Sequence, residues 1–113
     1  MKVAYVAGPY DANSTYDIVQ NIRRAEVVAL SLWKMGYAVI CPHKNSSLLD
    51  NEECPREIWI NGYLEILRRC DLLVVIPNWE DSAGTRDEIS LAGMSDIPTF
   101  YWPDDLQKLK SFI

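Results

Sequence analysis

Residues 71–77, DLLVVIP, are apolar at every position from Leu72 to Ile76. A strand with one face in water alternates apolar and polar residues. A short unbroken apolar run is what a strand buried on both faces requires, and such strands belong to parallel sheets covered by helices. The flanking segments agree with this reading. KVAYVAG (residues 2–8) reads as another buried strand, ending at Gly8-Pro9, and YAVICP (37–42) and IPTFYW (97–102) as two more. Between the first two strands, residues 16–35 carry Ile18, Ile22, Ala25, Val28, Ala29, Leu32 and Trp33 at helical spacing, and Gly36 follows where a helix end favours a left-handed residue. A polar loop spans residues 43–54. A second helix is expected from about Pro55 to Cys70, a third over 84–95 and a short terminal one over 104–113.

Strands alternating with helices in this order predict an α/β fold, flavodoxin- or Rossmann-like, in three layers. A small parallel sheet of about four to five strands is flanked by helices on both faces. With 113 residues the chain reads as a single domain over 1–113. In open sheets of this kind, ligands bind at the carboxyl ends of the strands, where the strand order reverses. The unusual residues of this chain fall at those ends. Gly8, Pro9 and Tyr10 follow the first strand, and Pro42, His43 and Asn45 follow the second. The third leads into Asn78, Trp79, Glu80, Asp81, Ser82 and Gly84. Such a concentration suggests a site.

Charge and cysteine usage narrow what that site serves. Eleven basic residues against sixteen acidic ones give a net charge of −5, and the longest basic cluster is Arg68-Arg69, so no nucleic-acid duplex is expected as a partner. Cys41, Cys54 and Cys70 are odd in number and widely spaced, with no CxxC and one histidine, His43. That matches neither a disulfide framework nor a zinc site, and implies a reduced, cytoplasmic protein with inert thiols. No apolar run approaches a membrane span and no leader pattern opens the chain, so no membrane partner is expected. On that reading the Asn13 and Asn45 sequons are chance matches.

The segment PNWEDSAGTRDEISLAG (residues 77–93) sets the main alternative. TRDE fits a capping box, with Thr85 as helix N-cap and Glu88 reaching back to it. DSAG offers Ser82 as a competing cap, and that choice places Glu88 in the second turn, beside the Ala92 core face. Ser82 itself reads either as a cap or as a phosphate contact, and Trp79 either as a stacking platform or as a packed rim residue. His43 is a loop residue or a ligand. Arg23 and Arg86 fit solvated helix positions, and Trp33, Trp59 and Trp102 fit core or interface.

YVAGPY, NIRRAEVVALSLWKMGY, CPH and CDLLVVIPNWEDSAGTRDEISLAG together resemble the nucleoside 2-deoxyribosyltransferase superfamily, most closely a small branch in phages and bacteria. The resemblance covers most of residues 3–102, and the W-x-x-S-x-G-x-x-x-E pattern from Trp79 to Glu88 is its most specific part. It implies cleavage of the N-glycosidic bond of a nucleoside or nucleoside 5′-monophosphate, without metal or organic cofactor, in a homo-oligomer. Glu88 matches the superfamily's nucleophile, and Ser82 the serine that helps bind a 5′-phosphate. Gly84 and Thr85 would add helix-terminal amides. Gly8, Pro9 and Tyr10 match the first loop of the nucleoside pocket. One position departs: Tyr63 stands where the superfamily usually places an aspartate on the second helix. Asn61 and Glu65 lie about 200° around that helix from it. Asp81 or Asp87 is then the candidate second carboxyl. Without one, a pocket that binds nucleotides and does no chemistry is the alternative, and a purely structural role is the third reading.

Overall fold

The computed structural model describes residues 1–47, 49 and 54–113, so part of the polar loop expected over 43–54 lies outside the described residues. The element order is β1 (Val3–Ala7), α1 (Thr15–Met35), β2 (Ala38–Ile40), α2 (Pro42–Asn45), α3 (Arg56–Arg68), β3 (Leu72–Val75), α4 (Ala83–Met94), β4 (Thr99–Tyr101) and α5 (Leu106–Phe112). All strand pairings are parallel, and the order across the sheet is β2-β1-β3-β4. The expected α/β three-layer architecture is present, with four strands.

Each face of the sheet has its own core, as the apolar run at 72–76 requires. On one face Ala4, Val6, Leu72 and Val74 pack with Ala25, Val28 and Leu32 of α1 and Leu109 of α5. On the other, Tyr5, Ala7, Leu73 and Val75 pack with Leu67 of α3 and Leu91 and Ala92 of α4. Leu72 to Val75 are all fully buried. At about 25 cal/mol per Å² of buried apolar surface, side chains of this kind contribute about 1.5–3 kcal/mol each.

Helix ends follow the sequence signals with two differences. Gly36 ends α1 in the left-handed region at φ 107°, its amide donating to the Leu32 and Trp33 carbonyls, as expected of a C-terminal glycine. Pro55 lies just outside α3 rather than in its first turn. A short helix, α2, opens the segment expected as loop, because Pro42 at its first position leaves no amide to satisfy. No helix among the described residues is long and apolar enough to cross a membrane.

Because β1 lies between β2 and β3, the chain leaves β1 toward opposite edges of the sheet, and the switch point falls at its carboxyl end. Ala7 pairs with Val75 in register, so the Gly8 loop and the segment after β3 emerge side by side.

Candidate active site

A cavity of about 670 Å³ opens at that switch point. It is walled by the loop after β1, by α2 and α3, and by the first two turns of α4. Of the residues singled out in the sequence, Gly8, Pro9, Tyr10, His43, Asp81, Ser82, Gly84, Thr85 and Glu88 all line it.

Trp79 does not. It lies on a second, smaller cavity of about 400 Å³ between the ends of β3 and β4, and its ring packs against Tyr101 with centroids 5.7 Å apart. Of the two readings of Trp79, a stacking platform in the site or a packed rim residue, the second fits this position, for a physical reason. Pro77 and Asn78 turn the chain, Asn78 in the left-handed region at φ 68°, and the indole is drawn toward β4 and the apolar cluster there. Asparagine tolerates that conformation better than most residues. Trp59, expected in core or interface, is part of the cavity wall.

Helix α4 settles the choice of cap. Ser82 is its N-cap: the Ser82 Oγ accepts from the Thr85 amide at 3.3 Å and bonds the Thr85 Oγ1 at 2.9 Å. Thr85 is drawn inward, 1% exposed. The alternative, a capping box between Thr85 and Glu88, therefore does not form. With the Thr85 amide spent on Ser82, the amides of Ala83 and Gly84 remain as first-turn donors without an intrahelical acceptor. Ser82→Ala should cost about 1 kcal/mol through loss of the cap, and Ser82→Asp should keep most of it. Thermal melts of the two variants check this.

Glu88 is left with its carboxyl in the cavity wall and no capping duty. Burial, with a smaller push from Asp87, raises it from the ordinary carboxylate value to about 7, while the Tyr5 hydroxyl pulls the other way. Tyr5 is fully buried and was legible in the sequence only as a core residue of β1, because a tyrosine inside an apolar strand carries no site signal. Tyr5 is part of the cavity lining, and its buried hydroxyl stands near Glu88 without a well-formed hydrogen bond. Burial first, and then the neighbouring carboxylate, hold the phenol well above its ordinary range. The pair is a proton donor facing a carboxyl whose charge state changes near neutrality. Contacts of this sort are often long without substrate and close when it binds.

The remaining walls are mostly uncharged or acidic. His43 is 3% exposed, its Nε2 lies 2.8 Å from the Pro9 carbonyl, and burial lowers its pKa from the ordinary histidine value. Tyr63 donates its hydroxyl proton to Ser46 Oγ at 2.5 Å and accepts from Asn45 Nδ2 at 3.3 Å, so this phenol ties α3 to the end of α2. Glu65 faces away and pairs with Arg68 and Arg69, which hold its carboxyl below the usual range. It therefore does not take the place of the aspartate that Tyr63 replaces. Asp81 and Asp87 both line the cavity. Arg56 lines it too and pairs with Asp11 at 3.1 Å, both side chains being largely exposed. Such an exposed pair is worth little in stability.

A family model described as a domain of unknown function (DUF7768) matches residues 2–102. No curated protein matches the chain. Among solved structures it is similar to a 2-deoxyribosyltransferase from Bacillus psychrosaccharolyticus, with TM-score 0.63 and 23% identity over 88% of this chain and 70% of that one. It is also similar to a conserved protein from Enterococcus faecalis V583, with TM-score 0.72 and 21% identity over 99% of this chain and 74% of that one. A third similar structure is the Clostridium botulinum CMP N-glycosidase BcmB, with TM-score 0.59 and 18% identity over 97% of this chain and 81% of that one. At these identities the likeness shows a shared fold.

Proposed function

We propose that this chain, which belongs to the DUF7768 family, cleaves the N-glycosidic bond of a nucleoside or nucleoside 5′-monophosphate, with Glu88 as nucleophile. The observation that carries the reading is Glu88 itself: a carboxyl in the wall of the switch-point cavity, raised by burial to about 7, on a helix that another residue caps. A desolvated carboxyl with no cation beside it costs stability, and such groups concentrate at functional sites. The reading is also supported by the resemblance of Trp79–Glu88 to the superfamily pattern and by two similar folds named for nucleoside and nucleotide chemistry.

The chemistry follows from the residues. Breaking the bond between C1′ and the base nitrogen passes through an oxocarbenium-like state, as glycoside hydrolysis does. The Glu88 carboxylate attacks C1′, the C1′–N bond breaks, and its electron pair leaves with the base. A glycosyl ester remains, which water or a second base then opens. The departing nitrogen needs a proton or a hydrogen bond, and Asp81 and Asp87 are the lining carboxyls, besides Glu88, that no described cation pairs; Asp11 is held by Arg56.

The lining charges bear on the substrate. Asp11, Asp81, Asp87 and Glu88 stand against a single described cation, Arg56. One phosphate is served by the Ala83 and Gly84 amides and the Ser82 hydroxyl, at the positive end of α4. Further phosphates would meet carboxylates. The expected order of affinity is 5′-monophosphate above nucleoside, by roughly ten- to hundred-fold from a charge-assisted contact, with the diphosphate weaker than the monophosphate. Calorimetric titration of one base in its three forms checks the order.

The deciding experiment incubates the protein with a panel of nucleosides and 5′-monophosphates and follows free base by chromatography. Base release from at least one supports the reading. Absence of release across the panel sinks it, and binding without release would favour a pocket that sequesters a nucleotide, the reading that Tyr63 in place of the aspartate supports.

A further inference from the structure

After β1 the chain runs from Gly8 to Ser14 without regular structure before α1 begins, and Gly8 to Asp11 form one wall of the cavity. Such a connector has no helix or sheet ladder, so contacts with neighbouring elements hold it, the Asp11–Arg56 pair among them. Pro9 has no amide proton, so a hydrogen bond can anchor its backbone only through the carbonyl. That carbonyl accepts from His43 Nε2 at 2.8 Å, and the next one, of Tyr10, accepts from Asn21 Nδ2 at 3.0 Å. Two successive carbonyls are thus held by two different helices, α2 and α1.

The chemistry of each holder is fixed. A carbonyl needs a donor, so His43 carries its proton on Nε2. Its Nδ1 is buried without a hydrogen bond, and the ring's polar contacts are to the loop backbone: the Pro9 carbonyl at 2.8 Å, with Gly8 also acting on the imidazole. The ring also packs against Tyr10, with centroids 5.7 Å apart at 56°. Asn21 is oriented just as firmly. Its Oδ1 accepts from Arg24 Nη1 at 3.0 Å, a group that only donates, which turns the amide nitrogen toward the Tyr10 carbonyl, a group that only accepts. Asn21 is not among the residues lining the cavity, and His43 has its donor committed.

We propose that Asn21 and His43 are positioning residues that clamp the Pro9-Tyr10 turn and act on the substrate through the loop. The proposal rests on the reading of the cavity as a nucleoside site. A loop held in its bound conformation before substrate arrives spares the ordering cost on binding, which appears as a lower KM.

Asn21→Asp tests it with an isosteric change that removes the donor to Tyr10 and keeps the acceptor for Arg24. Amide hydrogen exchange of Tyr10, Asp11 and Ala12 should quicken about tenfold, the equivalent of one hydrogen bond, while amides of Leu72–Val75 keep wild-type rates. KM should rise by a similar factor with kcat within about twofold. His43→Gln, which can place an amide donor near the same carbonyl, should retain most of the loop protection that His43→Leu loses. Wild-type exchange in the loop of Asn21→Asp overturns the clamp, whatever the catalytic result. The exchange measurement needs no ligand. A wild type that releases no base therefore sinks the nucleoside reading without touching the clamp, and wild-type KM in Asn21→Asp would deny the clamp its role in binding.

Discussion

Glu88→Gln is expected to abolish base release and, at pH 8, to make the protein more stable than the wild type. The loss of activity should reach several orders of magnitude, because a neutral amide can neither form the glycosyl ester nor stabilise an oxocarbenium-like state. The gain in stability follows from linkage. Burial raises the Glu88 carboxyl from 4.5 to about 7 in the folded protein. Between those values the unfolded chain has lost its proton while the native state still holds it, so stability falls as pH rises through that window and is flat above it. The difference corresponds to about 3 kcal/mol at most. An amide has no charge to desolvate, so the Gln variant should escape this penalty: several degrees higher in Tm at pH 8 and close to wild type at pH 4. A carboxyl serving as a cap would give the opposite result, but Ser82 holds that position. The same shift fixes the pH profile. Base release requires the carboxylate and should rise with pH through about 7, then level off. Wild-type-like release by Glu88→Gln would remove Glu88 from the mechanism, and a rate that climbs as pH falls below 6 would exclude a carboxylate nucleophile.

Gly8→Ala is expected to destabilise by about 1–3 kcal/mol, the usual cost of overpacking, and to distort the wall that Gly8 and Tyr10 give the cavity. A Cβ at Gly8 would lie 2.2 Å from Ile76 Cγ1 and 2.5 Å from Cδ1. The nearer of these atoms is not the free end of the side chain, and Ile76 is 2% exposed, so it has little room to yield. The glycine is therefore required by the approach of β1's end to β3's end, the same juxtaposition that creates the switch point. Ile76→Ala removes both clashing atoms and leaves space of its own. The double variant should be markedly less destabilised than the sum of the single ones, as expected of directly touching residues. Urea unfolding of the four proteins measures this, and strict additivity would show that Gly8 and Ile76 are not in conflict.

What the sequence determined by itself is the architecture and the neighbourhood of the site. The unbroken apolar run Leu72–Ile76, the helical spacing of Ile18 to Trp33 and the terminal Gly36 are local patterns, and local patterns carry secondary structure because burial on one or two faces imposes a period on the chain. Parallel strands with right-handed crossovers then leave few topologies, so the loops after β1, β2 and β3 had to meet. What only the tertiary structure decided are the contacts made across the sheet and between helices. DSAG and TRDE offer two caps of similar quality, and packing chose Ser82, burying Thr85 and freeing Glu88. Trp79 is adjacent in sequence to the site but packs on Tyr101, because the turn at Asn78 carries it toward β4. Tyr5 reads as core from its strand and stands beside Glu88 only because β1 and α4 share one face of the sheet. Asn21, on a helix whose pattern says only that it is amphipathic, reaches the Tyr10 carbonyl eleven residues back in the chain. Periodicity records which face of an element is buried; it holds no information about which partner a polar side chain finds there, and the chemistry of this site is set by such partners.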